Sequence, residues 1–292
     1  MRIATYRTEN RVEVGVLSED GSSITPYDLP VERAERGVLA LLEPEAALLP
    51  LRDVDRPLGF NAIELLAPIP RPRRNIICVG KNYYDHVQEI AEQGFDTTGG
   101  GGNVPGAPIV FSKFPECVIA SGAPIRWDAR VTTALDYEAE LAVIIGREGR
   151  AIAQVDAMDH VWGYTIINDV SARDVQSNHV QWLLGKSQDG FCPMGPFAVT
   201  RDAIDLTDTP IRCWVNDELR QDGNTSLMMF DIPTLIESIS AGITLYPGDI
   251  IATGTPAGVG AGFSPSRFLT ADDRVRIEIP GIGTLENRVK AY

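Results

Sequence analysis

The chain has 292 residues and carries 26 Lys and Arg against 40 Asp and Glu, which gives a formal net charge of −14 at pH 7. Hydrophobic residues make up 44% of the chain, an ordinary proportion for a globular protein with a large core. The acidic balance argues against a nucleic-acid backbone or an anionic membrane surface as the main partner. It does not exclude a local positive pocket for a small anion.

The cysteines and the apolar runs predict a cytoplasmic location. Four cysteines lie scattered in apolar stretches without a CxxC pair, which favours buried free thiols in a reducing compartment. The opening residues, MRIATYRTEN, lack the apolar core of a signal peptide. No run approaches the roughly 18 apolar residues that a membrane-spanning helix needs. We therefore expect neither a membrane nor a nucleic acid as a partner.

The first part of the chain predicts a small α+β unit. Its patterns predict two short strands and then a helix, over residues 2–6, 11–17 and 31–49. The proline-rich run APIPRP at 67–72 blocks regular structure and is typical of a linker. We therefore expect a small N-terminal domain over residues 1–70 and a main domain over residues 71–292.

The rest of the chain is rich in predicted strands. Apolar, β-branched segments bounded by Gly, Pro and Asp predict seven of them, over residues 75–80, 109–113, 141–146, 162–168, 211–215, 250–253 and 275–279. The clearest helix covers residues 232–241, where apolar residues recur at helical spacing after the potential cap Asp231. These elements predict an α+β fold that is mainly β. A run of threonine and glycine at 97–103 predicts a mobile loop.

An acidic face is predicted on the segment LDYEAELAVIIG, residues 135–146. Since alternate side chains of a strand share a face, Asp136, Glu138 and Glu140 point away from the apolar side. Carboxylates this close repel one another unless a positive charge lies among them, and Mg²⁺ and Mn²⁺ prefer oxygen ligands. A solvated acidic face is the alternative. Asp169, at the end of a later apolar strand, can supply a further ligand or simply form a turn.

Among the three histidines, His86 is the candidate general base. The segment KNYYDHVQEIAE is typical of a helix capped by Asn82, on which His86 and Glu89 stand at i and i+3. A carboxylate beside an imidazole fixes its tautomer and raises its basicity, as in a dyad that activates water. An exposed helix with an ordinary mixed-charge pair is the alternative. Next to the glycine-rich run, such a helix would also suit a closing lid.

Three further polar groups can bind an anion or simply support the fold. Lys186 lies in an apolar stretch, where it either reaches the surface or pairs with an anion. Arg173 and Gln176, at i and i+3, form a donor set suited to a substrate carboxylate. The loop PGDIIATGTPAGVG presents the hydroxyls of Thr253 and Thr255, but it lacks the GK[ST] of a phosphate-binding loop.

Together these segments resemble the fumarylacetoacetate hydrolase family over roughly residues 75–289. The similarity rests on ordered blocks that include ICVGKNYYDHVQE, LDYEAELAVIIGR, GYTIINDVSARDVQ, GKSQDGFCPMGP and ISAGITLYPGDIIATGTPAGVG. It implies a mixed β-roll or sandwich with few helices, and a homodimer. It also implies one Mg²⁺ or Mn²⁺ per subunit and a role for each matching residue: metal ligands Glu138, Glu140 and Asp169; catalytic residues His86, Glu89 and Lys186; substrate contacts Arg173, Gln176, Thr253 and Thr255.

Two departures from the family pattern bear on the substrate. The chain is much shorter than fumarylacetoacetase itself. In addition, Asp85 stands directly before His86, as in the short acylpyruvase-like members, which weakens the case for a fourth metal ligand upstream. Both features disfavour fumarylacetoacetate as the substrate.

The residues and the resemblance lead to a main hypothesis, a metal-dependent hydrolase that cleaves a C–C bond of a 2,4-dioxo acid such as an acylpyruvate or a diketo sugar acid. The products would be pyruvate or another 2-oxo acid and a carboxylic acid, with His86 activating water and Lys186 stabilising the oxyanion. The same site without water attack predicts the alternative, decarboxylation or tautomerisation of a small anionic 2-oxo acid such as oxaloacetate. A third hypothesis, a non-catalytic binding module, has no use for the His86–Glu89 pair.

Overall fold

A computed structural model gives the architecture and describes residues 1–9, 11–43, 49–53, 57–96, 98 and 102–292. The strands are β1 (Arg2–Arg7), β2 (Val12–Leu17), β3 (Ser23–Pro26), β4 (Leu58–Gly59), β5 (Glu64–Leu65), β6 (Ile76–Gly80), β7 (Ile109–Lys113), β8 (Val118–Ile119), β9 (Ile125–Trp127), β10 (Leu135–Asp136), β11 (Ala139–Ile145), β12 (Val161–Asn168), β13 (Ser171–Ala172), β14 (Cys192–Thr200), β15 (Pro210–Val215), β16 (Glu218–Asn224), β17 (Ile250–Ala252), β18 (Arg274–Ile279) and β19 (Gly283–Ala291). The α-helices are α1 (Val31–Ala34), α2 (Tyr84–Glu92), α3 (Arg173–Asn178), α4 (Leu183–Lys186) and α5 (Ile232–Ser240). None of the described helices is long and apolar enough to cross a bilayer.

The larger sheet is mixed and has the functional strands at its centre. Its main path runs β4-β3-β2-β1-β14-β12-β11-β17-β6-β7. β11 is antiparallel to β12 along its length, whereas β17 is parallel to β6. All seven residues of β11 are buried, because this strand has neighbours at both edges and is covered on both faces. The apolar, β-branched composition of the segment follows from that position.

A five-stranded sheet, in the order β16-β15-β18-β19-β9, packs against the larger sheet. One hydrophobic cluster joins the two, with Leu141 and Val143 of β11 in the same cluster as Cys213 of β15 and Ile277 of β18. The strands of both sheets therefore alternate apolar residues toward a shared core. This architecture confirms the predicted mainly β fold with few helices.

The N-terminal strands extend the larger sheet rather than forming a separate one. β1 pairs antiparallel with β14, and Ile3 stands opposite Ala198. β1 and β2 confirm the two strands predicted near the start of the chain. The division into domains at residue 70 stays a prediction.

The helix predicted over residues 31–49 is wrong in extent. α1 ends at Ala34, and a separate 3₁₀ turn covers Gly37–Leu41. Gly37, the first residue of that turn, has a φ of 63°, a left-handed conformation that a right-handed helix cannot continue through. Residues 44–48 of the predicted helix lie outside the described residues.

Of the remaining predictions, the seven strands, helix α5 and the free cysteines are confirmed. The seven predicted strands have counterparts within two residues at each end, and α5 begins at its predicted cap, where Asp231 accepts a hydrogen bond from the Thr234 N–H at 2.9 Å. The four cysteines are free and buried. The continuous strand predicted over residues 135–146 is wrong, because the chain leaves the strand after β10 and resumes in β11. In the glycine-rich run, residues 97 and 99–101 lie outside the described residues, so the mobile loop stays a prediction.

Candidate active site

Two antiparallel strands bring three acidic side chains together. Glu138 immediately precedes β11, Glu140 lies within it, and Asp169 follows β12. The register places Ala139 opposite Asn168, so that the Asp169 N–H donates to the Glu138 carbonyl at 2.9 Å. A carboxylate oxygen from each acid lies within 4.8 Å of the others. All three side chains are buried.

Three buried cations neutralise two of these carboxylates. Lys186 Nζ lies 2.7 Å from Glu138 Oε2 and 2.8 Å from Asp169 Oδ2. Arg173 Nη2 lies 2.7 Å from Glu138 Oε1, and Lys113 Nζ lies 2.5 Å from Asp169 Oδ1. Burial alone would raise the pKa of Glu138, but the attraction of Lys186 and Arg173 outweighs burial and lowers that pKa.

Glu140 differs because none of the described residues forms an ion pair with it. Its Oε2 accepts a hydrogen bond from the Gly254 N–H at 3.0 Å. Burial raises the pKa of Glu140 well above its ordinary value, and the negative charges of Asp169 and Glu138 raise it further. A bound cation would relieve this unfavourable charge. The all-oxygen donor set therefore fits a hard divalent ion such as Mg²⁺ or Mn²⁺.

Asp136 does not join the acidic cluster, contrary to the strand alternation. The strand conformation is interrupted between Asp136 and Ala139, so the two-residue alternation of side chains does not continue across that point. The Asp136 carboxylate instead accepts hydrogen bonds from Arg173 Nε at 2.8 Å and from the backbone N–H groups of Gly260 and Ala261 at 2.6 and 3.0 Å. Asp136 therefore orients Arg173 and lies outside the group of three carboxylates that could hold a metal ion.

Lys113 is the residue that the sequence analysis missed. Its side chain is fully buried at the end of β7, where it also donates to the Val170 carbonyl at 3.1 Å. Burial lowers the pKa of Lys113, but the adjacent Asp169 carboxylate raises it by more. A signal existed, because Lys113 ends an apolar predicted strand and a lysine in an apolar setting was the reason for singling out Lys186.

His86 and Glu89 form the predicted pair on α2. His86 Nδ1 lies 2.8 Å from Glu89 Oε1, and Glu89 Oε2 accepts a hydrogen bond from the Gly258 N–H at 2.8 Å. A side chain at Gly262 would collide with the Glu89 carboxylate, so the loop can approach this closely only with glycine there. Since Nδ1 faces Glu89, Nε2 is the ring nitrogen left for chemistry.

The start of α2 differs from its predicted cap. Tyr83 occupies the N-cap position, and Asn82 makes no capping bond. Asn82 Nδ2 instead donates to the carbonyls of Phe230 and Thr253, at 2.9 and 2.8 Å. These contacts hold the N-terminal end of α2 against the segment that follows β17, which carries the predicted substrate-binding threonines.

The four predicted substrate-binding residues separate into two groups. Arg173, Gln176 and Thr255 line the cavity above the carboxylates, whereas Thr253 is not among the described residues of its wall. Thr253 Oγ1 donates to the Leu141 carbonyl at 3.0 Å within the sheet. Arg173 is not a free donor, because two buried carboxylates pair with it and its Nη1 donates to Gln176 Oε1 at 3.3 Å.

One cavity joins the carboxylates to the histidine. Glu138 and Glu140 line one side of the cavity, and we call them, together with the adjacent Asp169, the carboxylate wall. We call the side formed by α2 the base wall. Apolar side chains complete the lining: Val79, Ile90, Phe95, Phe111 and Trp182. Lys186 Nζ also lies 5.1 Å from the centre of the Phe111 ring, a cation–π contact. The cavity thus combines buried charge, a base and an apolar rim.

Comparison with known proteins gives consistent matches. Residues 75–290 match the family described as "Fumarylacetoacetate (FAA) hydrolase C-terminal". Oxaloacetate tautomerase YisK of Bacillus subtilis is 49% identical over 232 residues, which cover 79% of this chain and 74% of YisK. Mitochondrial oxaloacetate tautomerase fahd2 of Xenopus laevis is 42% identical over 302 aligned positions, covering 99% and 90% of the two chains. The solved structure of fumarylacetoacetate hydrolase from Exiguobacterium antarcticum has a TM-score of 0.81 and 40% identity over 100% of both chains, which confirms the predicted fold type.

Proposed function

This chain belongs to the fumarylacetoacetate hydrolase family, and from that premise we propose that it is a divalent-metal-dependent tautomerase of a short 2-oxo acid, with oxaloacetate as the substrate to test. Two relatives that cover most of the chain are named oxaloacetate tautomerases. They favour the alternative of the sequence analysis over C–C hydrolysis. The observation that carries the proposal is a single cavity lined by Glu138, Glu140, Lys186 and His86.

Glu138, Glu140 and Asp169 would hold the cation, with Mg²⁺ and Mn²⁺ as the candidates and one ion per subunit. When bound, the ion would supply Lewis-acid stabilisation of negative charge on the 2-oxo group. The unpaired Glu140 is the ligand whose burial most needs that charge. Lys186 and Arg173, which both form ion pairs with Glu138, would keep the carboxylates close together when no metal ion is bound.

Tautomerisation moves one proton between carbon and oxygen. The C3–H bond breaks, its electron pair forms the C2–C3 double bond, and the 2-oxo oxygen gains a proton to become the enol hydroxyl. His86 Nε2 would take the proton from C3 and deliver it to the 2-oxo oxygen, and would carry it the opposite way in the reverse reaction, with Glu89 orienting the ring through Nδ1. Lys186, an ammonium donor in the cavity wall, would face the oxygen as negative charge develops there.

C–C hydrolysis of a 2,4-dioxo acid is the second candidate. The same His86–Glu89 pair can deprotonate water for attack on a C4 carbonyl. The solved neighbour from Exiguobacterium antarcticum carries the name of a hydrolase. The two reactions differ in whether water enters the cavity together with the substrate, and their products separate them.

A product assay tests the proposal. With Mn²⁺ present, we expect the protein to accelerate the loss of oxaloacetate enol absorbance above the spontaneous rate, without release of CO₂ and without cleavage of acetylpyruvate. Addition of EDTA should abolish the acceleration. His86→Ala should lower the rate by roughly 10²- to 10⁴-fold, because the proton acceptor is lost.

His179→Ala is the matched control, since His179 is exposed at the end of α3 and does not line the cavity. It should keep the wild-type rate. Pyruvate formation from acetylpyruvate without any faster enol decay would refute the tautomerase proposal in favour of hydrolysis. CO₂ release would identify a decarboxylase.

A further inference from the structure

Lys81 is a cavity residue with an unusual backbone conformation. It follows β6 directly and lines the cavity, with only 7% of its surface exposed. Its φ of 56° is left-handed, a conformation that non-glycine residues rarely adopt. Such a conformation persists only where the surroundings impose it, and it is concentrated at functional sites. The turn directs a long cationic side chain along the cavity side.

The Lys81 ammonium is paired with groups outside the carboxylate wall. Its Nζ lies 2.6 Å from Asp96 Oδ1 and 2.6 Å from Thr98 Oγ1. Burial raises the pKa of Asp96, but the hydrogen bonds from Lys81 and Thr98 outweigh it and bring that pKa to about 2. The second carboxylate oxygen of Asp96 is buried without a hydrogen-bond partner. Asp96 therefore occupies the position in which a ligand carboxylate could pair with Lys81, and only one of its two carboxylate oxygens is hydrogen-bonded.

With a divalent ion bound, the charges around the carboxylate wall would leave one positive charge, which can neutralise one substrate carboxylate but not two. Four buried carboxylates meet three buried cations there: Asp136, Glu138, Glu140 and Asp169 against Lys113, Arg173 and Lys186. One negative charge remains, and a divalent cation would convert it to one positive charge. A second carboxylate in the cavity needs another cation, because an unpaired buried charge is costly.

Among the described cationic residues that line the cavity, Lys81 alone is paired outside that set. Arg173 and Lys186 are each held by two of the buried carboxylates. We propose that Lys81 determines specificity by binding the second carboxylate of a 2-oxo dicarboxylic acid, which takes the place of Asp96. This inference rests on the proposed function, since it assumes that the 2-oxo acid end lies at the carboxylate wall.

Two ligands that differ only in the presence of a second carboxylate test the role of Lys81. L-Malate and (S)-2-hydroxybutyrate share a 2-hydroxy acid end and four carbons, but only malate has a second carboxylate. We expect calorimetry on the Mn²⁺-loaded protein to show roughly 10- to 100-fold tighter binding of malate, the range for a charge-assisted hydrogen bond. Lys81→Met should abolish the preference by weakening malate alone, and Lys81→Arg should restore most of it. An unchanged preference in Lys81→Met, or none in the wild type, overturns the proposal.

Asp96→Asn decides the matter if Lys81→Met does not fold. Removal of the competing charge should tighten malate binding several-fold and leave 2-hydroxybutyrate unchanged, and equal affinity for malate in this variant and the wild type overturns the proposal. The binding and activity measurements together also show which of the two proposals fails, the role of Lys81 or the tautomerase activity. Malate preference without enol turnover refutes only the activity, whereas enol turnover without malate preference refutes only the role of Lys81.

Discussion

The carboxylate wall comes from two neighbouring strands of the larger sheet, whereas the base wall comes from one short helix. Buried ion pairs from β7, α3 and α4 hold the first wall. The second is held by the Glu89–Gly258 hydrogen bond, by the Asn82 contacts, and by Phe95 packed edge-on against Phe268 at 6.0 Å between ring centres. Substitutions in the carboxylate wall should therefore alter metal binding or stability, and substitutions in the base wall should alter rate.

The largest expected effect is loss of the metal in Glu140→Gln. The substitution keeps the shape but removes the ligand charge, so Mn²⁺ affinity should fall by more than the roughly 10- to 100-fold typical for loss of a supporting group. Activity should fall to the level of the EDTA-treated protein. Without metal the variant should be at least as stable as the wild type, because Glu140 has no ion-pair partner among the described residues.

Calorimetric titration with Mn²⁺ and thermal unfolding with EDTA measure both properties. Glu148→Gln, an exposed acid just beyond β11, is the control and should bind Mn²⁺ normally. Wild-type Mn²⁺ affinity in Glu140→Gln would show that the carboxylate wall is not a metal site.

The next effect is on stability, in Lys113→Met. Removal of this ammonium leaves Asp169 short of a buried partner, so the free energy of unfolding should fall by about 3–5 kcal/mol. Because the folded-state pKa of Lys113 is raised, its contribution is fully present below the ordinary lysine pKa of about 10.4 and is lost as pH rises through the folded-state value. Urea unfolding at neutral pH measures the loss.

Lys290→Met provides the contrast, since Lys290 pairs with Asp272 on the surface with 51% of its side chain exposed. That pair should contribute at most about 1 kcal/mol. Equal urea midpoints for the two lysine variants would show that the buried pair does not stabilise the carboxylate wall.

The smallest effect is on rate alone, in Glu89→Gln. The imidazole of His86 would lose its charged partner, so kcat should fall by roughly 10- to 100-fold while KM and the unfolding free energy change little. Steady-state kinetics across pH should also show a shifted profile, which a purely structural role would not produce. Glu92→Gln, an exposed acid at the end of the same helix, should behave as the wild type. A loss of several kcal/mol of stability with kcat unchanged would place Glu89 among the structural residues.

Local periodicity explains which parts of the site could be predicted. Helical spacing puts His86 beside Glu89, and strand alternation puts Glu138 beside Glu140. Both relations depend only on backbone dihedral angles that recur from residue to residue. The same reasoning failed for Asp136, because the strand ends at that residue and resumes only at Ala139, and no local pattern marks the interruption.

The sequence alone therefore determined the mainly β architecture, the neighbouring acidic residues at the start of β11, and the histidine–glutamate pair on α2, since each follows from short-range spacing along the chain. The tertiary structure decided which charges neutralise each other. Lys113 meets Asp169, Arg173 meets Asp136, and Lys81 meets Asp96, across separations of 56, 37 and 15 residues. Buried charges are stabilised by whatever the fold places next to them, and that proximity arises from strand pairing and packing rather than from neighbours in the chain.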